Sequence, residues 1–361
     1  MEQLRGQDTG FLPKPPNLLK LFKYWLKGKI SYDDLLPHVR RHSSSMIRSL
    51  EETGLDYIWD GCMHRWERYH YAIMHIKNVD VIGRIPVYDD NYVFKAVINE
   101  ELIPNKNYYL NEVEFISKVA KKPVKIPILG PYTLANWSFG SYYIRKWRER
   151  CASLRLARYY ARREMVANLT RRIIIPILRE IVTKYNNLVV QIDEPSIFSY
   201  LDELDIVVEN VNEIVRKVNP NKVILNICHG SYEDLEVIFQ YVCEMKIDQI
   251  MFGLAQFDSW NLGTAKGDRK GYYEPLKILL EEYGYDREVG LGVINPYTSL
   301  IEPPSLVRDR IIFALNYINP SKLLVNPDCD LISLSLDVAF KKLSSMIEGV
   351  KLAEKFIGGE S

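Results

Sequence analysis

From Asn187 to its end the chain keeps one beat. A short apolar run gives way to a longer stretch with helical spacing, and then another apolar run follows. The runs lie at Asn187–Pro195, Lys222–Ile227, Asp248–Gly253, Val289–Val293 and Lys322–Asn326. The stretches between and after them cover 203–217, Ser231 to about Met245, 273–284, 305–317 and 333–356. Val and Ile suit the pleat of a strand, whereas residues such as Pro195 cannot continue a central ladder, so each run must turn out of its sheet where it ends. Strands separated by helices pair in parallel.

The first half follows the same rule less regularly. Helices are expected over Asn17–Lys27 and from a Ser31 cap to Thr53, closed by Gly54. Leu55–Gly61 reads as a strand, Asn111–Lys121 as a helix capped by Asn111, and Val124–Pro131 as the next strand. A long helix, kinked at Pro176, is expected over Cys151–Tyr185. Residues 63–110 interleave Tyr, Asn and Pro and read as an irregular excursion over the site after the second strand. With a weak strand near Thr9 the count is eight, so the expected fold is α/β, a closed (β/α)8 TIM barrel occupying 1–361 as one domain. An open doubly wound sheet is the alternative, but no Gly-x-Gly-x-x-Gly turn follows an early strand.

Composition narrows the function. The 361 residues are 47% hydrophobic, ample for one large core. Lys+Arg 47 against Asp+Glu 46 leaves +1, which offers no field for nucleic acid or an anionic membrane. No apolar run approaches the ~18 residues of a membrane span, and the opening residues lack a signal-peptide core. A soluble, cytoplasmic protein is expected. Five widely spaced cysteines do not form a disulfide framework.

In such a barrel the chemistry gathers at the carboxyl ends of the strands. Asp193 and Glu194 end one of them. Two acids there are costly unless water, a cation or a ligand satisfies them, although an acid can also serve as a helix cap. Cys62, Cys228 and Cys329 each follow a strand, so three thiolates could converge on a zinc ion. Each one alone would be read as a small buried hydrophobe.

Three motifs carry a resemblance. Gly130-Pro131-Tyr132-Thr133-Leu134-Ala135-Asn136-Trp137-Ser138-Phe139, Gln191-Ile192-Asp193-Glu194-Pro195 and Val325-Asn326-Pro327-Asp328-Cys329 resemble those of the cobalamin-independent methionine synthase family, in its catalytic C-terminal barrel. The likeness runs from Thr9-Gly10-Phe11-Leu12-Pro13 to the last helix, and the short archaeal-type members share this length. The resemblance implies a zinc ion that binds the sulfur of homocysteine and keeps it a nucleophilic thiolate. It assigns Cys228 and Cys329 to zinc, Asp193 to the amino group of homocysteine, and Trp137 to the methyl donor.

The departures from the family pattern are specific. Asn226 stands where a ligand His is expected, Gly253 where a ligand Glu is expected, and Cys62 where a Glu meets the substrate amine. Tyr297 stands at the catalytic His. Phe198-Ser199 and Ile332-Ser333-Leu334 replace residues associated with folate and its basic surroundings. The candidates are therefore Asp193, Glu194 and Tyr297 for catalysis, and Asp193, Cys62, Trp137 and Ser138 for substrate. Cys228 and Cys329 are the metal candidates, with Cys62 and His229 as further donors. The expected activity is methyl transfer to a thiol, with homocysteine becoming methionine and the donor not a polyglutamyl folate. The expected partners are the small thiol and a corrinoid methyl-carrier protein or homologous barrel. The competing reading is a metal-free, non-catalytic paralogue acting as a partner subunit. A porphyrin-decarboxylase-like relative would need basic residues clustered at the strand ends, which the sequence lacks.

Overall fold

The computed structural model describes residues 4–86, 92–228, 230–263, 269 and 272–359. Among these the strands are β1 (Arg5–Gly6), β2 (Asp80–Pro86), β3 (Tyr92–Val97), β4 (Lys125–Leu129), β5 (Ser138–Phe139), β6 (Val189–Asp193), β7 (Lys222–Asn226), β8 (Gln249–Gly253), β9 (Glu288–Ile294) and β10 (Leu323–Pro327). Seven of them form a curled sheet in the order β1-β10-β9-β8-β7-β6-β4, and every pairing is parallel. Residues of β4, β6 and β10 are buried throughout, as expected for strands covered by helices on one side and barrel interior on the other.

The stave expected at Leu55–Gly61 is reduced to one parallel bridge between Ile58 and Val124. It still spans the gap between β1 and β4. The Asp56 amide donates to the Gly6 carbonyl at 2.8 Å, and the Lys125 amide donates to that of Ile58 at 3.0 Å. The first strand lies at Arg5–Gly6 rather than near Thr9.

Helices surround the sheet. Ser31 begins Tyr32–Thr53 with a reciprocal cap, its hydroxyl accepting from the Asp34 amide while the Asp34 carboxylate accepts from the Ser31 amide. Gly54 ends that helix at φ 105, in the left-handed region where a Cβ would be strained. The cap expected at Asn111 belongs to Asn107, whose side chain accepts from the Leu110 amide, and the helix runs Tyr108–Val119. In place of one kinked helix, Leu154–Asn168 and Ile175–Lys184 flank a π-helical turn at Leu169–Ile174. That wider turn accommodates the N–H missing at Pro176.

The excursion is ordered structure that periodicity concealed. It contains a helix, Arg68–Ile73, and a β2–β3 antiparallel hairpin, to which β5 adds in parallel. The barrel interior is polar as well as apolar. Burial pushes the Lys125 ammonium down to about 8, and it donates to the Asp8 carbonyl at 2.5 Å. Gln191 donates to the Thr9 carbonyl at 2.8 Å. These bonds tie residues 8–9 to β4 and β6.

Candidate functional site

Side chains alternate along a strand, so Gln191 and Asp193 share one face of β6. The Gln191 amide donates to Asp193 Oδ1 at 2.7 Å. Asn226, the register partner of Asp193 on β7, donates to the same oxygen at 2.9 Å. Burial pushes the Asp193 carboxyl up, while Arg68, Asn226 and Gln191 hold it down. Its other oxygen lies 3.8 Å from the Arg68 guanidinium.

Cys228 and Cys329 each stand two residues past a strand, β7 and β10 respectively. Their thiols are hydrogen-bonded to each other. Burial, that contact and the neighbouring Asp330 push the Cys329 thiol well up, with Arg68 acting against them. Asp330 is raised to about 7, first by burial, and Arg68 opposes the rise.

Arg68 and Asp330 are the two residues that sequence reasoning missed. The guanidinium is 13% exposed, ion-paired with Asp330, and 4.2 Å from the centre of the Phe11 ring. Glu67 caps the helix that carries it, accepting from the Tyr69 and His70 amides at 2.8 and 2.7 Å. Tyr69 in turn fixes the helix to the small sheet, through Ser138 at 2.7 Å and the Ala96 amide at 3.1 Å. Asp330 directly follows the Asn-Pro-Asp-Cys motif, which is a usable signal. Arg68 offered none, because its helix lay inside the excursion.

The other candidates fare differently. Glu194 is spent on the scaffold. Its carboxylate accepts from the Tyr132 amide at 3.0 Å, the Thr133 amide at 2.7 Å and the Thr133 hydroxyl at 2.6 Å. It therefore caps the helix Pro131–Asn136. Ser138 donates to the Leu134 carbonyl at 2.7 Å, and Trp137 packs edge-on against Tyr69 at 6.2 Å. Tyr297 is 41% exposed on the rim past β9. His229 lies outside the described residues.

Cys62 does not join the other thiols, which corrects the three-thiolate expectation. It is fully buried, at φ 59, among Arg65, Asp60, Glu112 and Lys14. Here Asp60, His64 and Glu112 bring one donor atom each within 4.8 Å of the others, the group among the described residues that could supply three donors to a metal. Its charges are already matched. Arg65 Nε donates to both oxygens of Glu112 at 2.9 and 3.1 Å, and His64 Nδ1 lies 2.6 Å from Asp60.

Residues 9–352 match the family described as cobalamin-independent synthase, catalytic domain. A methionine synthase from Thermoplasma volcanium is 30% identical over 357 residues, covering 96% of this chain and 97% of that protein. One from Saccharolobus islandicus is 30% identical over 347 residues, covering 96% and 93%. The chain belongs to the cobalamin-independent methionine synthase family. The fold agrees with that of a B12-independent methionine synthase from a Shewanella species solved with selenomethionine. The TM-score is 0.75 at 19% identity, with 99% of each chain covered.

Zinc is what this family resemblance implies, so the donor set decides whether the present residues suit it. Around Cys228 and Cys329 the described residues supply no third Cys, His, Asp or Glu atom close enough to complete a set. Asn226 is committed to Asp193. At Gly253 a Cβ would lie 2.5 Å from the Asp328 Cβ and 2.8 Å from its Cα, so no side chain fits there as the strands stand. Asp328 turns its oxygens away, onto the Ala255 and Gln256 amides at 3.0 and 2.6 Å. Among the described residues the donor set around the two thiols does not complete a zinc site.

Proposed function

We propose that this chain transfers a methyl group to the thiol of homocysteine, giving methionine. Membership of the synthase family over residues 9–352 carries the reading. Asp193 at the end of β6, Cys228 and Cys329 past β7 and β10, and Arg68 on the helix Arg68–Ile73 support it as the candidate site. In this reading the Asp193 oxygen facing Arg68 also receives the substrate's ammonium. The thiol releases its proton to solvent as it binds, its sulfur then forms a bond to the methyl carbon, and the bond from that carbon to the donor breaks with its electron pair going to the donor. Water is kept from the sulfur by burial among Phe11, Arg68 and the strand ends. The non-catalytic alternative is not favoured, since the relatives at 30% identity are named methionine synthase.

The donor proposed is a methylated corrinoid on a carrier protein rather than a polyglutamyl folate. Exposed Tyr200, Trp260, Leu262, Tyr297 and Ile332 follow strands of the large sheet, so the described rim carries a set of apolar side chains, with Arg162 stacked on Tyr200. Such a rim suits a protein surface better than an anionic tail. No helix among the described residues is long and apolar enough to cross a membrane, which accords with the cytoplasmic setting proposed here.

The test is methionine formation from homocysteine with methylcobalamin or with methyl-tetrahydropteroyltriglutamate, read by mass spectrometry. Product from methylcobalamin alone is expected, with Asp193→Asn raising KM about tenfold or more through the lost amine contact. Efficient use of the folate overturns the donor assignment, and no methionine with either donor overturns the reading as a whole.

A further inference from the structure

The region in which the resemblance puts a metal holds a side chain that carries its own charge. Arg68 pairs with Asp330, the residue that follows Cys329, and its charge works against the burial that pushes the Cys329 thiol up. Its guanidinium is bound to the Asp330 carboxylate and stands 3.8 Å from that of Asp193. Both carboxylates interact electrostatically with Cys228. A guanidinium is always charged, presents a planar fork to carboxylates, and does not act as a metal ligand. A dication placed between the sulfurs and these acids would meet a fixed positive charge in a poorly screened site. The arginine is also held rigidly, by the Glu67 cap, the Tyr69 hydroxyl and the face of Phe11.

We infer that Arg68 stands in for the metal: the thiol site of this chain is metal-free, with the guanidinium supplying the positive charge that faces the acceptor sulfur. The metal-free half of this inference stands on Arg68 holding the Asp330 and Asp193 carboxylates, while the role toward the acceptor rests on the methyl-transfer reading. Arg68 is a positioning residue for the thiols and acids around it, and it excludes a cation by occupying their charge.

The experiment is a cobalt(II) titration of the full chain, stripped of metal by chelator, following thiolate-to-cobalt charge-transfer absorption. Zinc stoichiometry after equilibrium dialysis is measured alongside. The wild-type protein is expected to show no such band and no zinc above the level of a Cys228→Ser control. Arg68→Ala is expected to gain one thiolate-ligated ion per chain, with affinity about tenfold or more above wild type, as loss of a like charge at this range implies. Arg68→Lys, which keeps the charge, is expected to behave as wild type. Arg68→Met, which keeps the buried stem, replaces the alanine variant if circular dichroism shows that variant unfolded. One zinc per wild-type chain lost in Cys228→Ser overturns the inference, and so does failure of both neutral variants to gain metal. These readouts do not depend on methyl transfer, so an absence of methionine formation would leave them standing and would count against the proposed function alone.

Discussion

The most direct consequence of the strand-end geometry is that position 253 cannot take back a side chain. Gly253 on β8 pairs in register with Gly292 on β9, and Asp328 past β10 lies over both. A Cβ at 253 would stand 2.5, 2.6 and 2.8 Å from Asp328 Cβ, Cγ and Cα, where ordinary contact begins at 3.4 Å. Asp328 also fills the space over Gly292, its Oδ1 lying 2.1 Å from where a Cβ would sit there. Its backbone is tied down too, the amide donating to the Ile294 carbonyl at 2.9 Å. Gly253→Ala must therefore open the β8–β10 gap by nearly 1 Å and loosen at least one charge-assisted bond to the Ala255 or Gln256 amides. Overpacking costs about 1–3 kcal/mol and such a bond about 1.5–3 kcal/mol, so the expected loss is about 3 kcal/mol. At roughly 2.1 cal/mol/K per residue, 361 residues convert this to a melting-point fall of about 4 °C. Differential scanning calorimetry of Gly253→Ala beside wild type measures it. A variant melting within about 1 °C of wild type would refute the reasoning, since Asp328 would then have room that the packing denies. By the same argument Gly253→Glu, which reinstalls the acid of the family pattern, should lower stability further without creating a zinc site.

Two further outcomes follow from the buried acids. Burial raises the Glu194 carboxyl to about 7, outweighing its bonds to Thr133 and Tyr132, against an ordinary value of 4.5. Between those pH values the folded chain holds more protons than the unfolded one. Stability should therefore be fully present below about pH 4.5 and fall by about 3 kcal/mol as pH rises to about 7. Glu194→Gln should flatten that slope in urea melts across the window, and an unchanged slope would rule the group out as its source. Glu112→Ala and Glu112→Gln both strand the buried Arg65 guanidinium without its counter-charge, and each should cost about 3–5 kcal/mol of unfolding free energy by denaturant titration. A Glu112→Gln variant as stable as wild type would show that the ion pair is not what that cluster depends on.

What the sequence by itself determined was the ladder of elements. The runs at 188–195, 222–227, 248–253, 289–293 and 322–326 became β6 to β10 within a few residues, because a β-branched run closed by Gly, Pro or Asp leaves little choice. Ser31 and Ser231 began their helices for the same local reason, a hydroxyl within reach of the amide three residues on. The sequence also brought Cys228, Cys329 and Asp193 to one end of a barrel, since alternation along parallel strands places their ends together.

Only the tertiary structure decided how charge is distributed there. Cys62 and Cys228 both follow a strand segment, yet one packs among Lys14, Arg65 and Glu112 and the other beside Cys329. Glu194 neighbours Asp193 in the chain and points to a different helix. Arg68 meets an acid 262 residues away, carried there by a helix whose small sheet is assembled from separate segments. Local periodicity records which face of an element is apolar, but not which distant ion will sit opposite a given side chain. That pairing depends on packing between elements, and here it joins an arginine to the acid that follows Cys329.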